Sequence, residues 1–320
     1  MSGPDSPRIG YQTPPSVVVI AVNASWNVAN FRAGLVRGLL DAGYRVVILA
    51  PEDAHAARVR ALGCEVIDLQ MDAKGVNPLH DLRLLLRYRR ILRELRPVAF
   101  LGFTIKPNIY GSLAAHSLRI PVVNNIAGLG TTFLRAGWLN ALAKALYRLA
   151  LSRSRRVFFQ NADDQTLFVG AGLVAAGKVE VLPGSGVDLQ RFVPPLDVRG
   201  TDAPLVVLMS ARLLWDKGVD EFVEAARSLK ARHVACDARL LGFLDVPNPS
   251  AVPREAVESW QRDGLVSYLG EVEDVRPILA EADIVVLPSY YPEGTPRSLL
   301  EAAAMGKPII TTDAPGCRDV

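Results

Sequence analysis

Two glutamates, Glu293 and Glu301, stand eight positions apart in the stretch SYYPEGTPRSLLEAAAMGKPII, residues 289–310. A carboxylate accepts hydrogen bonds from sugar hydroxyls and repels phosphates. A pair of glutamates at this spacing is common on solvated helices, so the setting has to decide. The apolar run DIVVLP (283–288) predicts a buried strand followed by a loop. Thr295 predicts an N-cap with Pro296 at the first helical position. Glu293 therefore falls in a strand-to-helix loop, at the carboxyl edge where open α/β sheets bind ligands. About eighty residues upstream, RLLWDKGVDEFVEAARSL places Arg212 and Lys217 in a second such loop. Asp220, Glu221 and Glu224 open the helix that follows, as its dipole favours. Taken alone, Arg212 and Lys217 are two surface bases. Together with the helix start at Thr295, Pro296, Arg297 and Ser298 they compose a cradle for a diphosphate without a metal. The two glutamates then read neutral hydroxyls.

The elements that must hold these residues follow a regular rhythm. Strand-like runs occur at 16–22, 45–50, 64–70, 98–103, 121–127, 156–160 and 178–183, most of them separated by helix-like segments. One of those segments, NFRAGLVRGLLDAG (30–43), closes on a glycine. Alternation of this kind predicts a parallel sheet with crossover helices. A polar, proline-rich stretch at 192–204 interrupts it, and strand-like runs resume at 204–211, 238–243, 265–270, 283–288 and 307–312. The expectation is an α/β protein of two Rossmann-like, doubly wound domains, 1–185 and 186–320, facing a cleft and joined by a hinge near 184–203. No short-period repeat and no low-complexity tract is present.

Composition narrows the class. Half of the 320 residues are hydrophobic and 22% are charged, which suits a globular protein with substantial cores. Cys64, Cys236 and Cys317 have no metal-binding or redox spacing, which points to a reducing, cytoplasmic compartment. No apolar run reaches the roughly 18 residues that a membrane span needs. The net charge is +3, but it is unevenly placed. Residues 1–190 carry 22 basic and 13 acidic side chains, and residues 191–320 carry 14 and 20. Between Glu94 and Asp163 there is no acid at all. An anionic partner for the first half is expected.

The residues also carry a resemblance. ARLLWDKG, followed by PEGTPRSLLEAAAMGKPII, resembles the retaining glycosyltransferases of family 4, which have the GT-B fold. GSGVDLQRF (184–192) is similar to the turn that family places between its domains. The likeness extends over essentially the whole chain, and within the family it is strongest to bacterial enzymes that extend undecaprenyl-diphosphate-linked sugars. It implies that Arg212 and Lys217 hold the diphosphate of a nucleoside diphosphate sugar such as a UDP-sugar. Glu301 would take the ribose, and Glu293 the transferred hexose or N-acetylhexosamine, with Gly294 and Thr295 beside it. It implies retention of anomeric configuration with a donor phosphate oxygen accepting the acceptor proton. On that reading no protein nucleophile, metal or cofactor is required. It also implies a second domain cut short, since the chain stops at Val320, just after the run 307–312. A nucleotide-sugar epimerase of similar architecture and an inactive binding protein are the alternatives. Product analysis with donor alone separates the first.

Two stretches depart from the family pattern. The loop after the first strand, NASWNVANF (23–31), lacks glycine. Asn23, Ser25 and Asn27 are candidate contacts to donor phosphate or acceptor, and Asn30 is a candidate cap. Where many relatives place a histidine, this chain has NNIAGLGTTF (124–133), so Gly128 and Gly130 become a candidate wall of the cleft. His116 falls on a predicted helix and reads as packing. LRLLLRYRRILRELR (82–96) puts Leu85, Tyr88, Leu92 and Leu95 on one face and Arg83, Arg87 and Arg90 on another. GWLNALAKALYRLALSRSRR (137–156) sets Leu139, Leu142, Leu146 and Leu149 opposite Asn140, Lys144 and Arg148. Trp138, Lys144, Arg148, Arg153, Arg155 and Arg156 are the candidate membrane-facing residues. An anionic leaflet and a lipid-linked glycan acceptor explain this basic stretch better than nucleic acid, for which no recognition motif is present. The expected location is the inner face of the plasma membrane.

Overall fold

The computed structural model describes residues 15–71, 77–128, 138–196, 200, 203–291 and 293–320. Two parallel α/β sheets organise it. The first has seven strands in the order β3-β2-β1-β4-β5-β6-β7. These are β1 (Val17–Ala21), β2 (Arg45–Ala50), β3 (Glu65–Asp68), β4 (Ala99–Phe103), β5 (Val122–Ile126), β6 (Arg156–Phe159) and β7 (Val179–Val181). The second has five, in the order β10-β9-β8-β11-β12: β8 (Leu205–Ser210), β9 (Cys236–Leu241), β10 (Ser267–Tyr268), β11 (Ile284–Leu287) and β12 (Ile309–Thr311). Every strand lies on a run that the apolar pattern marks. A parallel strand is covered on both faces and so shows as a nearly unbroken apolar run.

Compact packing divides the chain into residues 1–124 with 153–155, and residues 125–152 with 156–320. In the first unit, alternate residues of the same strands enter two cores. Val19, Ala21, Val47 and Leu49 pack with Leu84, Tyr88 and Leu92 of α4 (Pro78–Leu95) and with Ala114 and Ala115 of α5 (Ser112–Ser117). Ile20, Val22, Val46 and Ile48 pack with Val28 of α1 (Ser25–Phe31), Val36 of α2 (Ala33–Asp41) and Val59 of α3 (Ala56–Arg60). This two-sided burial is the doubly wound arrangement. The single helix expected over 30–43 is instead two, broken at Arg32, whose guanidinium lies 4.5 Å from the centre of the Phe103 ring. Asn30 is therefore inside α1, where its amide donates to the Trp26 carbonyl, and caps nothing.

The second unit holds α6 (Trp138–Leu151), α7 (Ala162–Gly170), α8 (Val219–Ala231), α9 (Arg254–Arg262), α10 (Arg276–Glu281) and α11 (Arg297–Ala304). One core joins both faces of the five-stranded sheet to α8, α9, α10 and α11. On α6 the expected apolar face is displaced. Tyr147, Ala150 and Leu151 are buried, whereas Leu139, Leu142 and Leu149 are exposed. The Tyr147 ring sits edge-on to Phe168 of α7, 5.3 Å between centres, and this aromatic contact sets the rotation of the helix.

Candidate functional site

The five-stranded sheet changes direction between β8 and β11. From β8 it is built outward through β9 and β10, and β11 then returns to the other side of β8. Loops leaving two adjacent carboxyl ends diverge at such a point and open a crevice. Here they are residues 211–218 and 288–296. The Tyr290 and Tyr291 amides both donate to the Asp216 carbonyl at 3.2 Å, and the buried Ser289 hydroxyl donates to the same oxygen at 3.3 Å. Gly218, with φ at 79°, starts α8. A Cβ there would lie 2.2 Å from the Pro288 carbonyl oxygen, so only glycine lets these two loops meet.

Where the two loops meet, opposite charges come together. The Lys217 ammonium forms an ion pair with Glu293 Oε1, and the Ser289 hydroxyl, whose one hydrogen is shared with the Asp216 carbonyl, lies 3.1 Å from that oxygen. Both ion-pair side chains are largely buried, 11% and 14% exposed. The same ammonium lies 5.5 Å from the centre of the Tyr291 ring. Burial, followed by the charge of Glu293, pushes the Tyr291 hydroxyl above its ordinary pKa, and the charge of the exposed Arg212 opposes that rise. One turn along α11, Glu301 accepts from Arg297 Nε at 2.7 Å. Burial raises the Glu301 carboxyl, and the Arg297 hydrogen bond and charge pull it back.

The end of β6 completes this architecture. Gln160 Oε1 accepts from the Thr295 amide at 3.1 Å, and the Thr295 hydroxyl donates to the Gln160 carbonyl at 3.1 Å. The Asn161 amide donates to the carbonyls of Glu293 (2.9 Å) and Gly294 (3.3 Å). Thr295 is thus not an N-cap. Pro296 holds that place and the helix begins at Arg297. One amide expected to face a diphosphate is spent on Gln160. Gly294 is required here, because a Cβ would lie 2.8 Å from the Ala127 carbonyl oxygen as well as 2.1 Å from Gln160 Oε1, and a Cβ on Gly128 would lie 3.5 Å from the Gly294 nitrogen, an ordinary contact. Asn161 also caps α7 through the Asp164 amide, at 2.7 Å. Gln160, Asn161, Ser289 and Tyr291 are absent from the sequence reading. The only signal for the first two was a polar pair directly after the strand RVFF.

Comparison with known proteins assigns the chain. Residues 28–184 match the glycosyl transferase 4-like domain, and residues 204–320 match the glycosyl transferases group 1 family. An N,N'-diacetylbacillosaminyl-diphospho-undecaprenol alpha-1,3-N-acetylgalactosaminyltransferase of Campylobacter jejuni is 32% identical over 311 residues, covering 92% of this chain and 80% of that protein. The chain belongs to the group 1 glycosyltransferases. Its fold is GT-B. An Anabaena protein solved with UDP and glucose superposes with a TM-score of 0.71 at 18% identity, covering 95% of this chain and 82% of that one. A UDP-N-acetylglucosamine 2-epimerase superposes with 0.63 at 15% identity, covering 94% and 80%, and so shares the architecture alone.

Within this glycosyltransferase the remaining candidates separate. Ser25 is fully buried. Its hydroxyl donates to the Pro51 carbonyl at 3.0 Å and its amide to Asp53 at 2.8 Å, so it fastens the loop after β1 and has no hydrogen left for a ligand. Asn23 is half-buried in that loop, whereas Asn27 is half-buried in the first turn of α1, where its side-chain oxygen is buried without a hydrogen-bond donor. Gly130 and the side chain of Trp138 lie outside the described residues. Lys144 is half-buried, and Arg153 and Arg155 are exposed. Arg148 instead donates to the carbonyls of Ala171 and Gly172 at 2.9 Å, and Arg156 pairs with Glu180 at 3.0 Å, so both have structural work. His116 is half-buried in the last turn of α5.

Proposed function

We propose that this glycosyltransferase moves a hexose or N-acetylhexosamine from a nucleoside diphosphate sugar to a polyprenyl-diphosphate-linked glycan, with retention and without a metal. The observation that carries the reading is the Lys217–Glu293 ion pair at the switch point of the five-stranded sheet, with Glu301 on the helix that follows. The Campylobacter relative, whose name specifies an undecaprenyl-diphospho acceptor, and the Anabaena structure holding UDP and glucose favour the same substrate classes.

In this reading the donor diphosphate takes up Lys217 and Arg212, which neutralise the charge that builds on the leaving phosphate as the glycosidic bond breaks. Glu293, released from part of its pairing with Lys217, accepts hydrogen bonds from the sugar hydroxyls. Glu301 accepts from the ribose. The acceptor hydroxyl attacks the anomeric carbon on the face the diphosphate leaves, and its proton passes to the departing phosphate oxygen. The products are the extended glycan and a nucleoside diphosphate. Uridine is the expected nucleoside. The protein works peripherally at the cytoplasmic membrane surface, where its lipid-linked acceptor resides.

The test is calorimetric titration with a panel of nucleoside diphosphate sugars. A UDP-sugar is expected to bind, and Glu301→Gln to weaken it about tenfold or more, since one charge-assisted hydrogen bond is worth about 1.5–3 kcal/mol. Donor alone is expected to yield no epimerised sugar. Failure of every nucleotide sugar to bind, or wild-type affinity in Glu301→Gln, would reject the assignment.

A further inference from the structure

The 18-residue helix α4 buries Leu84, Tyr88 and Leu92. That leaves Leu79, Leu82 and Leu86 facing outward, 68%, 54% and 53% exposed. Their spacing of three and four places them in one stripe, and a contiguous exposed apolar stripe marks a surface that meets something other than water. Beside the stripe is a cavity of about 250 Å³ at the carboxyl ends of β3 and β4, lined in part by Gln70, His80, Asp81, Arg83, Arg87 and Lys106. Sites that enclose whole ligands run to roughly 300–1,000 Å³, so this one suits a head group rather than a complete nucleotide sugar.

Its electrostatics are one-sided. Asp81 is buried and fully engaged, with Lys106 Nζ 2.8 Å from one oxygen and the Tyr110 hydroxyl 2.9 Å from the other. The only acid in the wall among the described residues is therefore neutralised by its own lysine. Arg83 and Arg87, one turn apart, are exposed and have no hydrogen-bond or ion-pair partner among the described residues. Guanidinium groups are suited to phosphate, which they hold through two parallel hydrogen bonds. The plain alternative is a solvated arginine face on an ordinary amphipathic helix. That accounts for the charges but not for three leucines turned to the same side.

One chemical class has both parts. We infer that the α4 pocket binds the diphosphate of an isoprenoid-diphosphate acceptor through Arg83 and Arg87, with Leu79, Leu82 and Leu86 against its hydrocarbon chain. This rests on the reading above that the acceptor is lipid-linked, and it assigns that acceptor a place in the first unit, on residues other than those proposed for the donor.

The experiment titrates the full chain with farnesyl diphosphate, inorganic diphosphate and UDP, and sediments it with phosphatidylglycerol vesicles. Wild type is expected to bind farnesyl diphosphate more tightly than inorganic diphosphate, without competition from UDP. Arg83→Ser/Arg87→Ser should weaken farnesyl diphosphate about tenfold or more. Leu82→Ser/Leu86→Ser should weaken farnesyl diphosphate but leave inorganic diphosphate unchanged. Both variants should keep wild-type UDP affinity, which also reports an intact fold. Loss of UDP binding in wild type with farnesyl diphosphate retained would sink the donor reading and support the pocket. The proposal is overturned if the arginine variant binds farnesyl diphosphate like wild type, if UDP displaces it, or if the arginines matter for vesicles alone.

Discussion

The side chain that most constrains the chemistry is Glu293. Its carboxylate is held by Lys217 and Ser289, and its backbone carbonyl by Asn161, so both ends of the residue are fixed before any ligand arrives. In the proposed role, a group placed this firmly would lose little freedom on meeting a sugar, and its contact would strengthen as positive charge develops at the anomeric carbon. Glu293→Gln keeps the shape and removes the charge. It is expected to lower kcat by about 10- to 100-fold with donor affinity changed less than threefold, taking one charge-assisted hydrogen bond at about 1.5–3 kcal/mol. Steady-state kinetics with separate donor titration checks this split. An equal loss in donor affinity and none in kcat would instead assign Glu293 to donor binding alone. At the same scale Gly218 and Gly294 are required by backbone atoms only 2–3 Å from where a Cβ would stand, a constraint no side-chain chemistry expresses.

At the scale of the element, α7 carries a titrating group beneath the site. Asp164, in its first turn, is buried, and burial raises its pKa to about 6 against the opposing hydrogen bond from Asn161. An acid with a folded pKa above its unfolded value of roughly 3.9 binds its proton more tightly in the folded state. Folded stability is therefore greatest below the unfolded pKa and declines as pH rises towards 6, above which the loss is constant. Asp164→Asn removes this dependence. Relative to the variant, wild type is expected to lose about 1–2 kcal/mol between pH 4.5 and pH 7.5. Urea unfolding of both proteins at the two pH values measures it, and a constant difference would show that Asp164 titrates as an ordinary surface carboxylate.

Across the whole molecule the question is how a protein lacking, among its described residues, any helix long and apolar enough to cross a membrane would reach the lipid-linked acceptor proposed for it. The exposed leucines of α6 and, separately, those of α4, each near bases without an acidic partner among the described residues, fit interfacial surfaces, in which apolar side chains enter the headgroup boundary and bases meet anionic lipid. Vesicles rich in phosphatidylglycerol are expected to sediment the protein, and salt to weaken this by screening. Lys144→Ser/Arg153→Ser/Arg155→Ser should reduce the partition coefficient by up to about 100-fold, at about 1 kcal/mol per base. Unchanged binding would remove this stretch from the membrane surface. Arg148→Ser and Arg156→Ser are expected to cost stability instead, because these arginines hold the carbonyls of Ala171, Gly172 and Gly177.

The twelve strands of the described residues were legible in the sequence because each depends on a local property, an apolar run bounded by turn formers, and parallel strands buried on both faces amplify it. The placement of Arg212, Lys217 and Glu293 in loops was legible for the same reason, since they sit two to seven residues past a strand end, with Glu301 on the helix that follows. Tertiary structure decided what contact across distance decides. Thr295 carries every local mark of an N-cap, yet Gln160, 135 positions away, takes both its amide and its hydroxyl. The leucines of α6 have the right period for a core face, but Tyr147 and Phe168 turn the helix and leave three of them outside. The pairing of Lys217 with Glu293, and the cavity beside Arg83 and Arg87, arise from loops that meet only at the carboxyl ends of strands brought side by side by the sheet. A local pattern specifies which element forms; the partner of a polar side chain depends on which other elements the shared core draws close to it.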